Sequence, residues 1–393
     1  MANVIFPFLG GGVGGSHISA FGLADSLQHD YGVNCVVFCR EGTRSAEEAG
    51  KRGFELVFTG EKEAHMRHNP FYDLVRQIPR LQRLSRFRRE PTIVHCQDIG
   101  ALQSWGPPAK AMGLPVVYHH RSINRAVLPN KMALAFADAA IAISESAREN
   151  LSYVPARKLT HIVNPFTMQS IDQQAARKAL LSEIGASPDA RLYGFVGNYW
   201  RRKRPFFFLN VCRAIAQEDP RARFLLFGRD GEITELELRR RARVLNLGRR
   251  THFLGFRTPP EANIASLDVL LAPALKEPFG RTLVEALLLG VPYIATDDAG
   301  HSEIASRWGG GVLCPEQANA AEFAAAALAV TRGEVTPVLS MRRRSEVAEQ
   351  LSGRAHAQAV LKVYRKVSPK FAAAVAAETG LRTFGQKKIK ESA

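Results

Sequence analysis

The sequence predicts an α/β protein with two doubly wound parallel sheets of similar size. Short apolar runs alternate with helical patterns along most of the 393 residues, and a polar stretch near residue 170 interrupts this alternation. The length also exceeds what one ordinary hydrophobic core accommodates. We therefore predict one domain at 1–170, a second at 171–354, and a final helix with a basic tail at 355–393.

The predicted strands are apolar runs bounded by turn residues. In the first half they fall at 4–9, 34–39, 54–58, 92–96, 115–118, 139–143 and 159–163; in the second half they fall at 192–196, 224–227, 251–256, 269–272, 293–296 and 312–314. Helical patterns lie between most neighbouring runs, which favours parallel sheets with helical crossovers.

A glycine loop follows the first predicted strand. It runs through 10–15 and satisfies GxGxxG with Gly10, Gly12 and Gly15, and Ser16 is expected to cap the next helix. Such glycines let backbone N–H groups approach a pyrophosphate at a helix N-terminus, as in dinucleotide-binding proteins. A tight turn that packs closely against its own chain explains the run equally well.

Composition and charge narrow the functional classes. No apolar run approaches the roughly 20 residues that span a bilayer. The N-terminus is typical of a strand and not of a signal peptide. The five cysteines are scattered in apolar runs, which indicates buried thiols in a reducing compartment. We therefore expect a cytoplasmic protein. The net charge of +16 favours anionic partners, but zinc spacings, stacking aromatics and RNA-recognition signatures are missing, which argues against nucleic acid.

One basic segment could touch a membrane. Between residues 80 and 89, Leu81, Leu84 and Phe87 form an apolar stripe among five arginines, and Pro79 is expected to interrupt the helix before it. A basic amphipathic helix can lie on an anionic membrane surface, but the same stripe can simply pack on the protein's own sheet.

Two segments of the second half carry chemistry at strand ends. Four cations, Arg201 to Arg204, follow the run 192–196 and suit a phosphate-rich ligand. The segment 276–303 contains Glu277 in a loop, without a partner in its local sequence, and Glu285 in the next helix. Thr282 is expected to cap that helix, so Glu285 could close a capping box or accept hydrogen bonds from ribose hydroxyls.

The segment EPFGRTLVEALLLGVPYIATDDAGHSE, at 277–303, resembles the signature of the family-four retaining glycosyltransferases, in which two glutamates are separated by seven residues. Further matches are the glycine loop, IVHCQD at 93–98, ADAAIAISESARENL at 137–151, FVGNYWRRKR at 195–204 and ARFLLFGRDG at 222–231. The resemblance implies a GT-B fold, in which two Rossmann-like domains face each other across a cleft and the final helix returns to the first domain.

The resemblance also implies roles for individual residues. Glu277 would bind donor-sugar hydroxyls, Glu285 the ribose, and Lys203 the diphosphate. Gly14 and Gly15 would approach the reacting centre, and backbone amides facing sugar and phosphate would come from Phe279, Gly280, Arg281, Thr282 and Leu283. The family acts without a metal or other cofactor and retains anomeric configuration, with a nucleotide sugar as donor and a glycan or lipid-linked acceptor.

This chain departs from the family pattern in three places. Asn198 stands where the family often has arginine, so Arg202 or a neighbouring arginine could substitute. Ala299 replaces a glycine. The position of the family's donor-site histidine falls on Arg121, directly after His119 and His120, and any of these three could face the sugar.

The sequence therefore favours a glycosyltransferase of bacterial surface polysaccharide or lipopolysaccharide assembly. An NAD-dependent oxidoreductase or sugar-nucleotide epimerase that uses the GxGxxG loop is an alternative, but it leaves Glu277, Glu285 and Lys203 unexplained. A non-catalytic module that binds polyanions is a third reading, for which Glu277 would be dispensable.

Overall fold

The computed structural model describes residues 1–60, 70–123, 127–167, 170–257 and 260–391. All thirteen predicted strands are confirmed in these ranges. They are β1 Asn3–Pro7, β2 Asn34–Arg40, β3 Glu55–Thr59, β4 Thr92–Cys96, β5 Val116–His120, β6 Ala139–Ala142, β7 Leu159–His161, β8 Arg191–Val196, β9 Ala222–Phe227, β10 Thr251–Phe253, β11 Val269–Ala272, β12 Tyr293–Thr296 and β13 Gly311–Cys314.

Helices connect these strands, as the alternating pattern predicts. They are α1 Gly15–Tyr31, α2 Arg44–Lys51, α3 Pro70–Ser85, α4 Ile99–Ala111, α5 Leu128–Ala133, α6 Glu145–Glu149, α7 Gln173–Glu183, α8 Pro205–Glu218, α9 Glu235–Val244, α10 Pro260–Ala265, α11 Arg281–Leu289, α12 Ala299–Trp308, α13 Ala320–Thr331, α14 Met341–Gln350, α15 Gly353–Val367 and α16 Pro369–Glu391. Within the described ranges, no helix combines the length and the apolar character needed to cross a membrane.

The chain forms two compact units. The first contains Met1–Thr167 and Leu351–Ala393, and the second contains Met168–Gln350. The first unit has a seven-stranded parallel sheet in the order β3-β2-β1-β4-β5-β6-β7, and the second has a six-stranded parallel sheet in the order β10-β9-β8-β11-β12-β13. Strands that are buried on both faces require continuous apolar runs, and these runs therefore predicted the strands from the sequence.

Strand order reverses at one point in each sheet, between β1 and β4 in the first unit and between β8 and β11 in the second. In open parallel sheets, ligands bind beyond the carboxyl ends of the strands at this reversal. The glycine loop follows β1, and the cations at 201–204 and the loop of Glu277 follow β8 and β11. The fold thus places the predicted site segments at the two reversal points.

Several local predictions were wrong. Helix α1 begins at Gly15 with Gly14 as its N-cap, so Ser16 lies inside the helix. Helix α3 continues through Pro79, and the basic tail belongs to α16, up to Glu391.

The apolar stripe of the basic segment is not a surface stripe. Leu84 and Phe87 are buried in the core of the first unit with Trp105. Arg80 is only 1% exposed, and its guanidinium lies 5.8 Å from the Trp105 ring. Two of the three side chains of the stripe therefore pack on the protein's own sheet, and Leu81 is half-buried, which disfavours membrane insertion through the stripe.

Candidate active site

The loops after β8 and β11 meet at the reversal point of the second sheet. The Leu275 amide donates to the Arg202 carbonyl across 2.8 Å, which joins the two loops. Arg201–Lys203 form a single helical turn, and this turn directs the Lys203 ammonium to the Glu277 carboxylate, with 2.7 Å between Nζ and Oε2. Arg202 also donates to the same carboxylate oxygen. Two cations therefore surround one carboxylate.

This environment fixes the charge of Glu277. The residue is 8% exposed. Burial alone would raise its pKa, but the nearby Lys203 and Arg202 outweigh burial and lower the pKa to about 2. Glu277 lacks a partner in its local sequence, but the tertiary structure supplies two. It is thus a permanent carboxylate at neutral pH, able to accept hydrogen bonds from ligand hydroxyls.

Helix α11 begins directly behind this carboxylate. Its N-cap is Gly280 with φ 97°, and no side chain in the described residues caps it. The prediction that Thr282 caps the helix was wrong, because α11 starts at Arg281 and Thr282 lies inside its first turn. The positive end of the helix dipole consequently lies in the segment that includes Phe279 and Leu283, where the Leu283 amide donates to the Gly280 carbonyl across 3.0 Å.

Glu285 is buried in α11 and does not close a capping box. It is 4% exposed, and the Arg281 guanidinium lies 3.5 Å from its carboxylate. Burial raises the pKa of Glu285 to about 7, with a smaller upward contribution from Glu261, while Arg281 opposes the shift. Glu261, in the first turn of α10, was not among the residues predicted for the site. Its Oε2 atom is buried and has no hydrogen-bond partner in the described structure.

The start of α12 supports the Glu277 loop. The Gly300 amide donates to the Glu277 carbonyl across 3.0 Å. A Cβ atom on Gly300 would lie 2.4 Å from the Phe279 carbonyl oxygen, so only glycine fits there. Ala299, which replaces the family's glycine, has a φ of 50°, a left-handed conformation that is unfavourable for alanine. His301 is buried behind the loop, and burial lowers its pKa to about 4.

Asn198 lies half-buried at the end of β8, beside Gly197. A Cβ atom on Gly228, at the end of the neighbouring strand, would lie 2.1 Å from the Gly197 carbonyl oxygen. The backbones at these two strand ends therefore approach each other closely, and this contact fixes the turn that carries Arg202 and Lys203.

In the first unit, the glycine loop has open space at several positions. A Cβ atom on Gly10, Gly12 or Gly14 would meet nothing within 4 Å, and none of the three has a positive φ. Gly11, by contrast, is confined, because a Cβ atom on it would lie 3.0 Å from the Thr43 methyl group. Neither packing nor backbone conformation therefore requires glycine at these three positions, which disfavours the tight-turn interpretation.

The three candidates at the carboxyl end of β5, His119, His120 and Arg121, differ in exposure. His119 is fully buried and His120 is 4% exposed. The His120 ring nitrogens contact the Tyr118 hydroxyl at 2.7 Å and the Asn150 side-chain oxygen at 3.0 Å. Arg121 is half-buried. Among the three, Arg121 is therefore the side chain with accessible surface for a ligand.

Two family models match the chain. The model described as Glycosyltransferase Family 4 matches residues 13–169, and the model described as Glycosyl transferases group 1 matches residues 190–332. A lipopolysaccharide core biosynthesis mannosyltransferase of Rhizobium meliloti is 29% identical over 49% of this chain and 55% of its own. An Escherichia coli UDP-Gal:α-D-GlcNAc-diphosphoundecaprenol α-1,3-galactosyltransferase is 25% identical over 50% of this chain and 51% of its own. The match thus spans about half the length of these curated relatives.

Solved structures share the fold over nearly the whole chain. The Anabaena protein HepE, solved in complex with UDP and glucose, superposes with a TM-score of 0.78 at 17% identity, covering 93% of this chain and all of its own. The lipopolysaccharide outer core galactosyltransferase WaaB gives 0.67 at 17% identity, covering 92% and 99%. The fold is GT-B, and the chain belongs to the family-4 glycosyltransferases.

Proposed function

We propose that this chain transfers a sugar from a nucleoside diphosphate sugar to a glycan or lipid-linked acceptor in bacterial surface polysaccharide or lipopolysaccharide assembly. The observation that carries the proposal is the buried Glu277 carboxylate held by Lys203 and Arg202 at the reversal point of the second sheet. The relatives, a mannosyltransferase and a galactosyltransferase of related assemblies, support the substrate class.

The charges suit a diphosphate next to a sugar. Lys203 and Arg202 carry two positive charges against the single negative charge of Glu277, so one positive charge is left for an anion, in addition to the amino end of α11. Glu277 would accept hydrogen bonds from sugar hydroxyls, and Glu285 would accept them from ribose hydroxyls. Asn198 and the glycines Gly14 and Gly15 would line the remaining donor site.

We further propose a retaining reaction that needs no metal. The bond between the anomeric carbon and the diphosphate oxygen breaks, and the acceptor hydroxyl attacks from the same face. Its proton passes to the leaving diphosphate, so no protein base is required. Lys203 and the helix amides would stabilise the charge that develops on the leaving group. Arg121 would be a further cationic contact of the donor.

A donor panel tests this function. UDP-, GDP-, ADP- and dTDP-sugars are incubated with wild type, Glu277→Ala and the surface control Glu334→Ala, and released nucleotide is measured with and without EDTA. We expect one donor class to be consumed by wild type and by Glu334→Ala, unaffected by EDTA, and transfer to be lost in Glu277→Ala. Unchanged transfer in Glu277→Ala contradicts the proposal. A product whose anomeric configuration is opposite to that of the donor, as read from the anomeric proton signal by NMR, contradicts retention.

We also propose peripheral contact with anionic membrane lipid. The exposed cations Arg88 and Arg89 follow α3, and Leu128 and Met132 are 69% and 63% exposed on one face of α5. Because these groups lie at the surface, binding should rest mainly on charge and fall steeply with salt. Flotation with anionic vesicles at low salt should recover wild type and an Arg342→Glu control, but not Arg88→Glu/Arg89→Glu. Absence of wild type from the vesicle fraction at low salt contradicts this proposal.

A further inference from the structure

A buried chain of polar rings connects α15 to Arg121 in the first unit. The Tyr364 hydroxyl lies 2.7 Å from His95 Nδ1, and His95 Nε2 lies 3.2 Å from His119 Nδ1. Arg121 Nη2 lies 3.1 Å from the same His119 nitrogen. Tyr364, His95 and His119 are all fully buried. The mechanism proposed above uses none of these three side chains.

The arginine determines the direction of every hydrogen bond in this chain. A guanidinium can only donate, so His119 Nδ1 is an acceptor and His119 carries its proton on Nε2. His95 Nε2 must then donate to His119, which leaves His95 Nδ1 to accept from the Tyr364 hydroxyl. Burial holds the pKa values of both histidines well below their usual range, so both rings stay neutral in this arrangement.

Helix α15 fixes the other side of Arg121 as well. His356, which lies in the same helix as Tyr364, stacks on the His119 ring with 5.8 Å between the ring centroids. Its Nδ1 donates to the Val163 carbonyl across 2.7 Å, and the next residue, Asn164, accepts a hydrogen bond from Arg121. One partner of the guanidinium, His119, therefore contacts α15 directly, and another partner, Asn164, directly follows a residue that is hydrogen-bonded to α15.

We infer that Tyr364 and His95 are positioning residues: by fixing the tautomer of His119, they hold the Arg121 guanidinium at the carboxyl end of β5 in the orientation that the transfer reaction needs. This inference rests on the proposed function, because Arg121 is the group that would contact the donor. Without the Tyr364 hydroxyl, His95 can move its proton to Nδ1. His95 Nε2 then becomes an acceptor that faces the acceptor His119 Nδ1, and the hold on Arg121 weakens.

Matched variants separate positioning from general stability. Tyr364→Phe removes one buried hydroxyl, and Tyr193→Phe removes another in the second unit, where it lies 2.9 Å from Thr331 Oγ1. His95→Gln keeps an N–H donor near the position of Nε2, and His95→Leu removes it. Each variant is measured for thermal midpoint, for kcat and KM with the donor that the wild type uses, and for histidine tautomers by 15N NMR.

We expect both tyrosine variants to lose thermal stability, whereas only Tyr364→Phe and His95→Leu lower kcat, by about threefold to tenfold for one lost hydrogen bond. His95→Gln should recover most of the rate, and 15N spectra should show the His119 proton on Nε2 in wild type and a changed His95 signal in Tyr364→Phe. The inference is overturned if Tyr364→Phe keeps the wild-type kcat, or if wild-type His119 carries its proton on Nδ1. If wild type consumes no donor at all, the proposed function fails, and the tautomer spectra still test the hydrogen-bond chain.

Discussion

Replacing Glu277 with glutamine tests the centre of the candidate site. The pKa of Glu277 falls from 4.5 to about 2 in the folded protein, which corresponds to about 3 kcal/mol in favour of the ionised form. Because the folded-state pKa is lowered, this stabilisation is present above pH 4.5 and is lost as the pH falls towards 2. Glu277→Gln should therefore lower the free energy of unfolding by about 3 kcal/mol at pH 7, and by less at pH 3.

The same variant should separate donor binding from turnover. Without the carboxylate, Lys203 and Arg202 have a greater net positive charge, so a nucleoside diphosphate should stabilise the variant at least as much as it stabilises wild type. Turnover should fall on the order of 100-fold, because hydrogen bonds from sugar hydroxyls to a charged acceptor are worth about 1.5–3 kcal/mol each.

Urea unfolding at pH 7 and pH 3, with and without UDP or GDP, together with initial rates, measures these quantities. The control is Glu218→Gln, which breaks an exposed ion pair with Arg332 and should cost at most about 1 kcal/mol. Wild-type turnover by Glu277→Gln, or equal unfolding free energies for wild type and variant at pH 7, would refute the reasoning.

Three further substitutions test neighbouring features. Glu285→Gln should remove a pH dependence of the free energy of unfolding in the ligand-free protein. Because the pKa of Glu285 is raised, its contribution to stability is complete below pH 4.5 and is lost as the pH rises through about 7. At pH 8 the variant should therefore be up to about 3 kcal/mol more stable than wild type by urea unfolding, while it binds nucleotide more weakly. Ala299→Gly should raise the free energy of unfolding by about 1 kcal/mol, because glycine adopts a positive φ without strain. Ala305→Gly, inside the same helix, should lower the free energy of unfolding by a similar amount, and a change in the same direction for both variants would contradict this reasoning. Gly14→Ala should fold with near wild-type thermal stability and lose transfer, while Gly11→Ala should lose stability against Thr43; full activity of Gly14→Ala would show that no ligand approaches there.

The strands and the two doubly wound sheets were predictable because strands buried on both faces require continuous apolar runs, and helical crossovers require the periodic segments between them. The GT-B fold was predictable only through the resemblance to a known family. The two-glutamate segment was recognisable because Glu277, Glu285 and the glycine and proline that end α11 are close together in the chain. Helix starts were less predictable. A glycine such as Gly280 can occupy the N-cap and move the start of a helix by two residues, so the predictions of a Thr282 cap and of a capping box with Glu285 were wrong.

Contacts between distant segments could not be read from the sequence. Glu277 meets Lys203 and Arg202 across more than seventy residues, and only the adjacency of β8 and β11 brings their loops together. The burial of Leu84 and Phe87 beside Trp105 was likewise visible only in the structure, because the same helical periodicity is found in a membrane-binding face and in a core-facing one.

The sequence by itself determined the alternation of strands and helices, the division into two sheets and the identity of the glutamates, since these depend on local periodicity and on residues near one another. The tertiary structure decided which charges pair, which of His119, His120 and Arg121 has accessible surface, and how Tyr364 reaches Arg121 through two histidines. Hydrogen bonds and ion pairs form between groups within a few ångströms in space, and their energies depend on burial, which no linear pattern specifies.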